Sequence, residues 1–442
     1  MGPQELLLSS NKIQIQGTSN LENKLDLSEQ LSTLYKQNPN RNFFLFIPRE
    51  WLYYKYANKK KQNWITKTLA RQSEKPAIVD TSLCRATQNN IHNYLYNQGF
   101  FNATGSYTIK KKKHKAQVIY QVQPGDRYLI NDIQFVADDT AVLELLLKNQ
   151  GSSFLQPGRP LDNSLFQNEK ARISELMFNH GYIEFNPLYI QTLEADTVHL
   201  KANIKLHVVN PEGKRQHPIY LVNRIEVNRN YNPNDSTTTS QSIWYDSIQM
   251  PDESRFQLIR PKVIASKIKF RTGDIANKSL VDETYGQLSK LGIYRFVSIE
   301  AQKDSMLNHQ LNYKILLTPY KRWVFDYGTD LNYTSIKTAS KTLFGISGFV
   351  HLKNRNLFHG AESFSTKVEI GTELNLFKIN DFNSLNIHYS NELSLPAFHD
   401  LSGTWHIAKS IFRPIKKYTN PPDSRTNIKF GLDYENLVRL YQ

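Results

Sequence analysis

LVDETYGQLSKLGIYRFVSIEAQKDSMLNHQLNYKILLTP, residues 280–319, holds the transition on which the fold turns. Val281, Tyr285 and Leu288 recur at helical spacing as far as Gly292, and residues 294–301 and 311–318 then follow a period of two. A helix followed by two short strands is therefore predicted. Ser279 with Asp282 forms an S-x-x-D helix start. Glycine adopts the left-handed conformation that ends a helix without a Cβ penalty, which explains why the strand begins at Gly292-Ile293-Tyr294.

Upstream, the same signals recur twice. Gly99-Phe100-Phe101 and Gly181-Tyr182-Ile183 repeat the glycine-aromatic step. A second marker alternates with it: Asn11-Lys12-Ile13-Gln14-Ile15, Asn131-Asp132-Ile133-Gln134-Phe135 and Asn223-Arg224-Ile225-Glu226-Val227. Each copy reads as strand, helical segment, glycine, strand, strand, which is a small α+β module repeated three times. In the middle copy Phe166, Ile173 and Met177 give the helix its apolar face and Asp162 caps it.

The first copy carries an insertion, residues 38–75, with Trp51, Tyr53, Tyr54, Lys59, Lys60, Lys61 and Trp64. These residues suit a membrane or partner surface, although an extra helix packed on the module is the more common use of such a stretch. The run Lys110 to Lys113, between two predicted strands, reads as lysines that blunt an edge. Residues 230–242, rich in Asn, Ser and Thr, read as a polar loop.

After Pro319 only the period of two remains. Trp323, Phe325, Tyr327, Thr329, Leu331 and Tyr333 share one face, opposite Val324, Asp326, Gly328, Asp330 and Asn332. Four further segments alternate, around Val350, Val368, Tyr389 and Leu432. Strands of about 9–11 residues with one apolar and one polar face predict an antiparallel transmembrane β-barrel. A soluble sandwich alternates likewise. Strand length, aromatics near strand ends and position after the repeats favour the barrel.

Composition sets bounds. A chain of 442 residues exceeds one compact core. Its +15 net charge suits anionic partners, and its 12% aromatic content suits strands. Cys84, the single cysteine, excludes an intrachain disulfide. Nucleotide-binding and hydrolase motifs are absent, so neither an enzyme nor a cofactor or metal centre is expected. The lysine run lacks the interleaved aromatics of a nucleic-acid platform, so no nucleic-acid partner is expected.

The module order resembles the polypeptide-transport-associated (POTRA) domain, in three copies at 5–125, 126–212 and 217–320. The turn Asn354-Arg355-Asn356-Leu357-Phe358-His359-Gly360, followed by Ala361-Glu362, resembles the second hairpin of the outer-membrane assembly-factor superfamily. That superfamily includes the BamA and TamA assembly proteins and the two-partner secretion transporters. The insertion and the Glu74-Lys75-Pro76 step are most similar to the TamA-like lipoprotein branch. The resemblance implies an outer-membrane protein of a Gram-negative bacterium, with periplasmic repeats and the start of a barrel at 321–442. It implies client outer-membrane proteins, the lipid bilayer and an inner-membrane-anchored TamB-like protein as partners. Clients would pair with the first barrel strand, through Trp323, Phe325, Tyr327, Thr329, Leu331 and Tyr333. A two-partner-secretion-type transporter and a soluble or surface-adhesive β protein are the alternatives. Two departures stand out: no cysteine precedes Leu6 to carry a lipid, and five strands are too few to close a barrel, so the front of a longer protein is expected. Residues 396–426 also make a long segment on the periplasmic side, where short turns are expected.

Overall fold

The computed structural model describes residues 5–17, 24–43, 47–57, 63–198, 200–232, 242–251, 259–336, 341–375, 378–396 and 424–437. The chain divides into two compact units, residues 1–175 with 185–217, and residues 176–184 with 218–442. The first unit begins with β1 (Leu7–Ile15), α1 (Lys24–Ser32), the short pair β2 (Asn42–Phe43) and β3 (Ile47–Pro48), α2 (Arg49–Leu52) and α3 (Trp64–Arg71). It continues with α4 (Thr81–Asn97), β4 (Thr104–Lys112) and β5 (Lys115–Gln123). Next come β6 (Leu129–Ala137), α5 (Thr140–Lys148), α6 (Asn163–Phe178), which runs into the second unit, β7 (Ile190–Val198) and β8 (Lys201–Val208). The second unit adds β9 (Leu221–Asn228), β10 (Ser242–Tyr245), β11 (Ile248–Pro251), α7 (Pro261–Ala265), α8 (Lys278–Ser289), β12 (Tyr294–Lys303) and β13 (Gln310–Pro319). It closes with β14 (Trp323–Ile336), β15 (Lys341–Asn354), β16 (Ser363–Asn375), β17 (Lys378–Leu395) and β18 (Thr426–Leu437).

One topology recurs in three sheets. The first strand of each module lies parallel to its last, and the last lies antiparallel to the one before it, giving β1-β5-β4, β6-β8-β7 and β9-β13-β12. The last strand is thus central. In β8 and β13 the alternation is strict, with Ala202, Ile204, Leu206 and Val208 buried in one and Leu311, Tyr313, Ile315 and Leu317 in the other, whereas β5 buries Val118, Ile119 and Tyr120 in succession. In the third sheet β10 and β11 extend the far side of β9.

The Asn markers have a structural meaning, with one correction of phase. Asn131 and Asn223 each occupy the extra residue of a bulge in the parallel ladder. Asn131 Nδ2 donates to Asn203 Oδ1 at 2.8 Å, and Asn223 Nδ2 donates to Asn312 Oδ1 at 2.9 Å. In β1 the bulged residue is Ser9, so Asn11 lies two positions beyond it, opposite Val118, and donates instead to Gln37 O at 2.7 Å. A shift of two keeps every side chain on its face, so the sequence pattern hides it. Ile225 is fully buried, while Ile133 and Ile13 are half-buried.

All three helix-ending glycines adopt positive φ: +86° at Gly99, +88° at Gly181 and +71° at Gly292. Two of them also mark a close approach. A Cβ on Gly99 would stand 2.7 Å from Leu161 O, and one on Gly181 would stand 2.7 Å from Ile275 Cγ2; around Gly292 nothing lies within 4 Å. The carbonyl of Gly99 accepts the N–H of Tyr128 at 3.0 Å, and that of Gly181 accepts the N–H of Tyr220 at 2.9 Å. Each helix end is therefore sealed by the entry of the following module. Helix α6 begins at the expected cap, with Asp162 Oδ1 accepting the N–H of Ser164 at 2.7 Å. Its inner face also carries Glu169, fully buried and held by a bidentate pair with Arg172. Helix α8 begins earlier than expected, because Asn277, not Ser279, accepts the N–H of Leu280. Its buried face runs through Thr284 and Leu288, leaving Tyr285 half exposed.

Five strands form the final sheet, in the order β14-β15-β16-β17-β18, all antiparallel. The register carries one row from Tyr327 through Val350, Val368 and Tyr389 to Leu432, so that the apolar sets of all five strands share a face. Tyr327 is 78% exposed and Leu331 66%. The other face carries Asp326 with His351, Lys367 with Glu369, and His388 with Asp433. Phe349 falls on this polar face, where it covers Gly328. The polar stretch 233–241 and the segment 397–423 lie outside the described residues.

Two outcomes are expected. Gly99→Ala and Gly181→Ala suffer both the left-handed conformation, about 1–3 kcal/mol, and a steric clash, whereas Gly292→Ala suffers only the first. Urea unfolding midpoints compare them, and equal losses at the three sites would count against the packing role. His217 is buried between Phe185 and Tyr189, and burial pushes its pKa down. Its stabilising share is present above the unfolded value near 6.5 and is lost as pH falls through and below it. Unfolding midpoints measured from pH 7.5 to 5 should fall, and His217→Gln should flatten that dependence.

Candidate functional site: a strand edge and its anchor

Strand β14 hydrogen-bonds on one side only among the described residues, to β15. The backbone N–H of Arg355 donates to Arg322 O at 2.9 Å, and these two residues stand directly opposite in the register that pairs Trp323 with Asn354. Opposite residues in an antiparallel ladder alternate between pairs that exchange hydrogen bonds and pairs that do not. Arg322 therefore fixes the phase. Val324, Asp326, Gly328, Asp330 and Asn332 turn their N–H and C=O groups toward β15. Trp323, Phe325, Tyr327, Thr329, Leu331 and Tyr333 turn theirs to the open side, and the unbroken register keeps this phase along the strand. The side chains of Trp323, Phe325, Tyr327, Thr329 and Leu331 are exposed; of Tyr333 only the backbone is described.

The base of this edge is built from the turn 354–362. Asn354 and Asn356 are buried, and their side chains accept the N–H groups of Asn356 at 3.0 Å and Ala361 at 3.1 Å. Glu362 Oε2 accepts from the N–H groups of Phe358 at 3.2 Å and Gly360 at 2.8 Å. A side chain at Gly360 would collide with that carboxylate. His359 and Ala361 carry positive φ, +63° and +68°, a strained conformation held by the contacts around it. Ala361 is 4% exposed and belongs to the hydrophobic core of the third module, with Ile259, Ile264 and Ile293. The N–H of Arg260 donates to His359 O at 2.9 Å, and its guanidinium lies 3.7 Å from Glu362. Arg322 Nη2 reaches Leu357 O at 3.4 Å, Arg355 Nη1 reaches Gly292 O at 3.5 Å, and the N–H of Tyr320 donates to Ile293 O at 2.8 Å. Gly292 thus meets the strand sheet where the earlier glycines meet another module.

The insertion places Trp51, Tyr54 and Trp64 at the surface and buries Leu52. Tyr53 is half-buried, and Lys55 Nζ sits 4.3 Å above the Trp51 ring. Glu74 fastens the insertion by pairing with Arg49 at 3.0 Å and accepting the N–H of Arg41. Lys59, Lys60 and Lys61 lie outside the described residues. This surface and the β14 edge belong to different compact units. The anchoring residues Arg322, Arg355 and Glu362 carry no periodic signal; only the turn quoted from the sequence pointed to their neighbourhood. Among the described residues no helix is long and apolar enough to cross a membrane, and no three His, Cys, Asp or Glu side chains cluster as metal ligands would.

No protein-family model and no curated sequence matches this chain. Solved structures matched by this chain include Haemophilus influenzae BamA POTRA3-5, at 12% identity over 72% of this chain and 98% of that one, with a TM-score of 0.32. BamA from Haemophilus ducreyi lacking POTRA domains 1-3 is 10% identical over 71% and 60%, with a TM-score of 0.35. CdiB from Acinetobacter baumannii is 12% identical over 62% and 42%, with a TM-score of 0.29.

The turn gives a direct test. Glu362→Ala removes the acceptor of two turn N–H groups; the one on Gly360 is buried, and a buried donor left unpaired costs about 1–3 kcal/mol. Amide exchange at Phe358 and Gly360 should accelerate about tenfold or more, with the β16–β17 ladder unchanged.

Proposed function

We propose that the protein assembles client proteins in the outer membrane of a Gram-negative bacterium by templating strands on β14. The observation that carries this reading is the edge: six consecutive odd-numbered residues aim backbone groups, unpaired among the described residues, to one side of a strand whose exposed face is apolar. In lipid, every unpaired N–H or C=O costs several kcal/mol. A client strand entering the bilayer has the same open edge, and pairing the two removes both penalties. No covalent step is involved and no cofactor is required.

In this reading the three modules are POTRA domains in the periplasm, at 5–125, 126–212 and 217–320, and residues 321–442 begin a transmembrane barrel whose apolar face meets lipid. The partners are client outer-membrane proteins, the bilayer and an inner-membrane-anchored TamB-like protein, as in the TamA-like branch. Trp51, Tyr53, Tyr54 and Trp64, with Lys59, Lys60 and Lys61, are assigned to a membrane surface.

Proline at Tyr327 or Leu331 removes an outward N–H and leaves every β14–β15 donor in place. Either variant should abolish client insertion in a reconstituted assembly assay while the modules stay folded. Full activity of both variants would overturn strand templating, and unimpaired export of one polypeptide would favour a two-partner-secretion-type transporter.

A further inference from the structure

Arg229, Arg322 and Arg355 reach one cleft of about 150 Å³ from three places: the residue after β9, the link before β14 and the turn after β15. Arg229 is only 5% exposed. Its Nη1 and Nη2 donate to the carbonyls of Ile259 at 3.1 Å and Pro251 at 3.0 Å, and its Nε is buried without an acceptor among the described residues. The Nε atoms of Arg322 and Arg355 are likewise buried without acceptors among the described residues. Arg355 lies over the Tyr320 ring, 4.6 Å from its centroid, which fixes the plane of its guanidinium.

Among the described residues no counter-charge is supplied from within. Among the described residues none of the three arginines forms an ion pair, and no acidic side chain lines the cleft. The nearby carboxylate of Glu362 is engaged by Arg260 and by the N–H groups of its own turn. Three guanidinium groups around one small space repel each other, and burying an uncompensated cation is costly. An anion entering the cleft offsets that repulsion and is met by the guanidinium groups that line it. Guanidinium forks match the oxygens of phosphate, and three of them suit a tetrahedral, multiply charged group better than a planar carboxylate with a single charge.

We propose that this cleft binds an anionic phosphate group, carried by a lipid headgroup or as free phosphate. Two of its arginines flank the first residues of β14, so an occupied cleft braces the base of that strand against the third module. The assignment goes beyond strand templating and stands without it.

The test uses the full chain purified in detergent, titrated calorimetrically with inorganic phosphate, with acetate and chloride at equal ionic strength, and with short-chain phosphatidic acid below its micelle concentration. Saturable phosphate binding is expected, weakened about tenfold to a hundredfold in R322Q/R355Q, with acetate at least about tenfold weaker. Phosphatidic acid binding more tightly than phosphate assigns the site to a headgroup, and equal affinity assigns it to free phosphate. Absence of saturable binding, equal binding of acetate or chloride, or unchanged affinity in R322Q/R355Q would overturn the proposal. R229Q tests the buried member; if it fails to fold, the half-buried pair Arg322 and Arg355 decides the question. Tyr327→Pro should bind phosphate normally, which separates failure of the site from failure of strand templating.

Discussion

The carbonyl of Gly181 accepts the N–H of Tyr220, and that kind of contact organises the chain. A helix that ends on a left-handed glycine turns its last carbonyls outward, where each needs a donor. Tyr128 and Tyr220, at the entries of the second and third modules, supply it for Gly99 and Gly181. At Gly292 the series changes. There the donor is the Arg355 side chain, from the turn that joins β15 to β16, and the N–H of Tyr320 is taken up one residue later by Ile293. The third module therefore hands over to a strand sheet through the same chemical need that joined the modules before it.

The opposite condition holds along β14. Its outward N–H and C=O groups have no partner strand among the described residues, beside an apolar face with Tyr327 and Leu331 mostly exposed. Backbone pairing thus accounts for both ends of the site: satisfied at the anchor, where Asn354, Asn356 and Glu362 hold the turn, and open along the edge. An edge can present a constant register only if its base is fixed. Ala361, packed in the core of the third module, fixes it.

Much of this was legible in residue order. The period of two in β14 to β18 predicts which side chains share a face, since side-chain direction alternates with the backbone whatever lies beside it. The glycine-aromatic steps predict the three helix ends, because a positive φ is a local property of the chain. Local signals misled where a nearby alternative existed. Ser279 has cap chemistry, but Asn277 reaches the free N–H of Leu280 first. Tyr285 fits the helical spacing, yet Thr284 and Leu288 hold the buried face. The Asn11 marker mimics Asn131 and Asn223 from two positions away, because Ser9 takes the bulge.

The sequence by itself determined the modules, their order and the two faces of the final sheet, since these rest on periodicity and on conformations set within a few residues. Only the tertiary structure decided the phase of β14, the burial of Ala361 and the meeting of Arg229, Arg322 and Arg355. Arg229 and Arg355 stand 126 positions apart in the numbering. Whether such residues converge on one cleft depends on how the sheets register and where the turn docks, and no local pattern encodes that.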